Sequence, residues 1–136
     1  MSRVINTETA GKERNRLVKG MAIAIRELFS HPEVDENSLD IAAYIALSLE
    51  AIDKTIEPTV VPWEKRDYWV KADRFRSEWS WAGRYSGEMR QAVTSRDWQN
   101  IGDIAVKVAE KISKVNVSPR HRMGTPWVGA WDKLCA

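Results

Sequence analysis

Apolar residues recur every three or four positions along four stretches of this chain, and no run of useful length alternates with period two. That spacing gives each stretch a single apolar face as a helix and scatters it as a strand, so an all-α fold is predicted. In the first stretch, about 9–29, Leu17, Met21, Ala24, Ile25 and Leu28 share a face, and Lys12, Arg16, Lys19 and Arg26 fall opposite. Ser30, His31 and Pro32 end it, because the residue before a proline is pushed out of the helical region. The second, about 38–57, carries Ile41, Ile45, Leu49, Ile52 and Ile56. Ala42, Ala43, Tyr44, Ala46 and Leu47 widen that face almost all round, as in a buried helix. Asn37 is its expected N-cap, Asp40 lies on its first turn and Pro58 stops it.

The third helix is expected over about 63–93, with Pro62 in the first position, where a missing N–H costs nothing. Tyr68, Ala72, Phe75, Trp79, Ala82 and Val93 share one face of it, and Trp63, Val70, Trp81 and Tyr85 another, almost opposite. A helix apolar on two faces is either sandwiched between layers or offers one face to a partner. Thr94 and Asp97 have capping-box spacing ahead of a fourth helix, about 95–115. Trp98, Ile101, Ile104, Ala105, Val108 and Ile112 form its apolar face, and Lys107, Lys111 and Lys114 lie on the other side. The tail, 116–136, contains Pro119, Gly124, Pro126 and Gly129, yet Trp127, Trp131 and Leu134 are too large and apolar for a free tail, so it is expected to pack back. The expectation is one helical domain over 1–136, a four-helix bundle with an ordered, Trp-containing tail.

Composition narrows the function classes. One Cys among 136 residues excludes a disulfide scaffold, and 43% hydrophobic residues exclude a disordered chain. The longest apolar run, Ile41 to Leu47, is far below the ~18 residues of a membrane span. Ser2 to Gly11 is polar, so no signal peptide is expected and a cytoplasmic, reduced protein is. Seven Trp exceed the two Phe and three Tyr together. They serve either as bulky core or as contact surface for a partner chain or unstacked bases.

Charge is segregated: +3 over residues 1–29, −6 over 30–62, +2 over 63–94 and +3 over 95–136. If the outer faces of the first and fourth helices lie side by side, Lys12, Arg16, Lys19, Arg26, Lys107, Lys111 and Lys114 form one basic surface, which Arg120 and Arg122 join if the tail folds that way. Such a surface is either an ordinary solvated face or a polyanion site in which Lys and Arg neutralise phosphates. It also suits the acidic second helix of another copy.

Sites of chemistry are sparse. Two His and one Cys cannot supply a zinc site of the usual spacing. His31 reads as a helix-terminal residue, and His121, between Arg120 and Arg122, suits phosphate contact. Cys135 lacks the two residues behind it that a prenylation motif needs. Glu33, Glu36, Glu50 and Asp53 spell E-x-x-E followed by E-x-x-D over about 21 residues. That spacing resembles the magnesium-binding signature of the all-helical nucleoside triphosphate pyrophosphohydrolases, which implies four carboxylate oxygens holding Mg²⁺ against a triphosphate. The pattern departs from the family in that Glu33 and Glu36 follow Pro32 in a connection instead of lying inside a helix.

The leading expectation is a non-catalytic binding or assembly module, without cofactor or metal, whose basic surface contacts a nucleic-acid backbone, with Trp63, Trp81 and Tyr85 as stacking or docking groups. A protein-facing module or homo-oligomer docked through the third-helix aromatics is the second. A magnesium-dependent hydrolase using Glu50 and Asp53 is the third.

Overall fold

The computed structural model describes residues 7–31, 33–118 and 120–136. The expectations resting on Pro32, Pro119 and the first six residues lie outside these. The described residues are helical, with no strand. In place of four helices there are six: α1 Thr7–Ser30, α2 Glu36–Asp53, α3 Ile56–Lys65, α4 Trp69–Thr94, α5 Trp98–Lys111 and α6 Ala130–Cys135.

Helix α2 is the centre, packing against α4, α1 and α6. Its all-round apolar sequence is the cause: Ile41, Ala42, Ala43, Ile45, Leu49 and Ile52 are completely buried. Each large aliphatic among them contributes about 1.5–3 kcal/mol by leaving water. Asp35, not Asn37, caps this helix. Its carboxylate accepts from the Ser38 backbone N–H at 3.0 Å, and its own N–H donates to the Ser38 hydroxyl, a reciprocal capping box. Asn37, one residue inside the helix, instead accepts from Trp127 Nε1 at 3.2 Å.

The two prolines act otherwise than expected. Helix α2 ends at Asp53, before Pro58, and Pro58 occupies the third position of α3. The first-turn N–H groups of a helix have no intrahelical partner, so proline is tolerated there instead of stopping anything. Pro62 lies inside α3 and begins no helix. The predicted 63–93 helix is broken at 66–68 by a C-terminal turn: Tyr68 N–H bonds Trp63 C=O and Asp67 N–H bonds Glu64 C=O, with Asp67 left-handed at φ 64°. The same turn recurs after α4. Asp97 N–H bonds Ala92 C=O and Arg96 N–H bonds Val93 C=O, with Arg96 at φ 55°. Thr94 therefore closes α4, and Asp97 alone caps α5, accepting from Asn100 N–H.

Beyond α5 the chain returns along α1 and reaches the start of α2. Arg26 donates to Val117 C=O at 3.2 Å. The Asp40 carboxylate accepts from the backbone N–H groups of Gly129, at 3.2 Å, and Trp131, at 2.9 Å. Trp127, Ala130 and Leu134 are buried in the same core as α1, α2, α4 and α5.

Candidate interaction surface

The turn between α3 and α4 carries three consecutive large apolar side chains in water. Tyr68 is 52%, Trp69 54% and Val70 72% exposed. The left-handed Asp67 turns the chain sharply there, so α4 opens on this triplet with no element packed over it. Lys65 and Arg66 precede the triplet and Lys71 follows it, giving residues 65–71 a formal charge of +2. Lys71 Nζ stands 4.3 Å over the Trp63 ring.

Ion pairs brace this tip. Arg76 on α4 bonds both carboxylates that α3 presents: Glu57 through Nε and Nη2, each at 3.0 Å, and Glu64 through Nη1 and Nη2, each at 2.9 Å. These bonds hold Glu57 and Glu64 below the usual carboxylate range and push Arg76 further up. Paired guanidinium–carboxylate forks fix orientation as well as distance. An aromatic ladder continues down α4: Trp63 lies edge-on to Phe75 at 5.4 Å, Phe75 is 6.3 Å from Trp79, and Trp79 stacks on Trp81 at 5.6 Å.

Arg14 of α1 enters this ladder, with its guanidinium 4.7 Å from the Phe75 ring and 5.3 Å from Trp79. It is only 8% exposed. Its Nη1 donates to the hydroxyls of Thr55 (3.1 Å) and Thr59 (3.0 Å), which in turn donate to Ile52 C=O and Thr55 C=O. Burial lowers its pKa from the ordinary arginine value. One side chain thus ties α1 to the α2–α3 junction and to α4.

The aromatics proposed from sequence fall differently. Trp81 and Tyr85 are 6% and 9% exposed, so they are core, and Trp81 Nε1 is satisfied by Glu78 C=O at 2.9 Å. Trp63 is half-buried. Tyr68, grouped from sequence with Ala72, Phe75 and Trp79, is out in water. The sequence carries no glycine at the 66–68 break, so the helical phase runs through it and joins Trp63 of α3 to the faces of α4. The available signal was an Asp at the turn, a residue that tolerates the left-handed region.

Helices α1 and α5 make few contacts with each other. Lys12 pairs with Glu8 at 3.3 Å and Arg16 with Glu13 at 2.6 Å, which raises the Arg16 pKa. Arg26 bonds Val117 as above. Lys19, Lys107, Lys111, Lys114, Arg120 and Arg122 are exposed and pair with no carboxylate among the described residues.

The four carboxylates of the E-x-x-E and E-x-x-D pattern do not converge. Glu33 and Glu36 stand at the start of α2, whereas Glu50 and Asp53 stand at its end. Fourteen residues of helix separate Glu36 from Glu50 by about 21 Å. Glu50 is instead engaged by Arg90 at 2.8 Å and Lys54 at 3.2 Å, which lower its pKa. Asp53 lies against Gly83 of α4. Among the described residues no three His, Cys, Asp or Glu side chains are grouped to hold a metal ion.

His31 pairs through Nε2 with the cap residue Asp35 at 3.0 Å, and His121 Nδ1 accepts from Met123 N–H. Cys135 is an exposed thiol on α6. No helix among the described residues is long and apolar enough to cross a membrane. Compared with known proteins, the chain matches no family model, no curated protein and no solved structure.

Proposed function

We propose that this chain is a non-catalytic helical assembly module that docks on a protein partner through the α3–α4 tip. The observation that carries the reading is the exposure of Tyr68, Trp69 and Val70 on a hairpin braced by Arg76. Aromatic anchors on a rigid support, ringed by charge, are the usual composition of energetic contact centres, because little conformational entropy is lost when they are buried. Truncating such an anchor costs about 2 kcal/mol or more of binding energy. A photo-crosslinking residue placed at Trp69 tests this in an extract of the source cells. One discrete adduct is expected from position 69 and none from Glu88, an exposed site on the same helix. No adduct at 69, or an equal smear from both positions, overturns the reading.

A second reading is favoured by Lys19, Lys107, Lys111, Lys114, Arg120 and Arg122, which are exposed and pair with no carboxylate among the described residues. They suit a polyanion backbone such as nucleic acid. Fluorescence anisotropy of labelled oligonucleotides at low and moderate salt tests it. Each phosphate neutralised on duplex DNA adds about −0.9 to the log–log salt slope. Lys107→Glu with Lys111→Glu should flatten that slope, and absence of binding at low salt removes this reading.

A further inference from the structure

At the far end of the molecule from the tip lies an apolar recess of about 200 Å³, between the α1–α2 connection and the start of α5. Leu28, Phe29, Val34, Trp98 and Ile101 line it together with the polar His31, Glu33 and Ser38. Phe29 and Val34 are 54% and 65% exposed. An enclosed cavity of about 150 Å³ accepts benzene, so this open recess has room for an aromatic side chain to seat against it. Val34 and Trp98 also border a neighbouring depression edged by Asp35, Glu36 and Arg96.

Of the charged side chains, Glu33 lines the recess itself, and Asp35, Glu36 and Arg96 edge the adjoining depression. His31 also lines the recess. His31 is committed to Asp35, and the Arg96 guanidinium lies 5.7 Å from the Trp131 ring. Glu33 and Glu36 pair with no cation among the described residues. With His31 neutral the rim is formally −2, against +2 for residues 65–71 at the tip.

We infer that the occupant of this recess is the Trp69–Val70 tip of a second copy of the chain, with Lys65 and Arg66 meeting Glu33 and Glu36. The inference rests on the docking reading above and names its partner. Three features favour a second copy. The apolar tip and the apolar recess are both uncovered. Their formal charges are opposite. They are also too far apart to meet within one chain. Helix α2, 18 residues, spans about 27 Å from the recess to Asp53. Helix α4 meets Asp53 at Gly83 and runs on to Trp69, 14 residues and about 21 Å further. Such a contact joins different patches on the two copies, so it propagates head to tail and closes only if the rotation makes a ring.

The test uses two single-site variants and their mixture, followed by light scattering and sedimentation at increasing concentration. Trp69→Glu places a carboxylate on the first turn of α4, where the helix dipole accepts it, and presents it to an acidic rim. Val34→Lys places a cation in the recess. Both positions are more than half exposed, and circular dichroism confirms that each variant is folded. The wild type is expected to grow in mass with concentration and to dissociate with added salt. Each variant alone stays at 15.6 kDa. Their equimolar mixture forms a species of twice that mass, because one intact tip meets one intact recess and both remaining surfaces are dead.

A wild type that is monomeric at high micromolar concentration overturns the inference, while a discrete adduct at position 69 leaves the docking reading standing. Self-association that survives both substitutions, or a mixture that stays monomeric, also overturns it and places the contact elsewhere. Absence of any adduct at 69 beside a monomeric wild type removes both readings together.

Discussion

At the scale of the residue, Arg14 is the most demanding position in the molecule. A guanidinium taken out of water needs its charge spread and its N–H groups used. Here the two threonine hydroxyls and the two aromatic faces do this, with no carboxylate among the described residues paired to it. That balance predicts an unusual ranking of substitutions. Arg14→Lys keeps the charge but loses the planar stacking and one hydroxyl, and should destabilise the fold by about 1–2 kcal/mol in urea titrations. Arg14→Met removes the buried charge, keeps Phe75 and Trp79 covered, and leaves Thr55 and Thr59 bonded to backbone carbonyls. It should cost less than the lysine variant. A methionine variant less stable than the lysine variant would show that the hydrogen bonds, not the stacking, carry the contribution.

At the scale of the element, the helices legible in the sequence were those whose ends use side-chain chemistry or that are apolar all round. Helix α2 is readable from Ile41 to Ile52 because its residues are apolar on every side. The break at Asp67 is not legible, because Asp67 stands where glycine is the usual marker, whereas the break at 94–97 is legible through Thr94 and Asp97 although Arg96 is the left-handed residue there. With the first turn hidden, Trp63 of α3 and the residues of α4 read as one helix, and the exposed Val70 was grouped with Trp81 and Tyr85, which are buried. The site suffered more than the fold, since a shift of one or two residues exchanges a buried face for an exposed one.

Glycines inside the elements separate in the same physical way. Gly87 in α4 has nothing within 4 Å of where a Cβ would stand, so Gly87→Ala should stabilise the protein by about 0.5–1 kcal/mol through helix propensity alone. Gly20 in α1 lies directly under the Tyr44 hydroxyl, with the ring carbon Cζ 3.3 Å from the same point. Gly20→Ala should therefore lower the melting temperature in spite of the same propensity gain. Thermal unfolding of the two variants side by side checks both, and a stabilised Gly20→Ala would mean that α1 and α2 separate freely there.

At the scale of the whole molecule, the ion pairs that join helices predict the response to acid. Glu50, held by Arg90 and Lys54, and Glu57 and Glu64, held by Arg76, all have folded pKa values below the ordinary range. So does Asp35, through the Ser38 N–H first and His31 second. A group whose pKa is lowered by folding contributes stability above its unfolded value, about 4 for these acids, and loses it as pH falls through the folded value. The melting temperature should accordingly be insensitive to these groups between pH 7 and 5 and decline below about pH 4. Arg76→Gln should shallow that decline, since Glu57 and Glu64 then titrate normally. A melting temperature unchanged down to pH 3 would contradict the assignment.

The bonds from Asn37 and Asp40 to Trp127, Gly129 and Trp131 join positions about 90 residues apart in sequence. During synthesis, at about 5–20 residues per second, that separation is a delay on the order of ten seconds. The central helix is made before Trp127, Ala130 and Leu134, which pack into the same core. For that interval the nascent chain carries an apolar helix that lacks one of its packing partners.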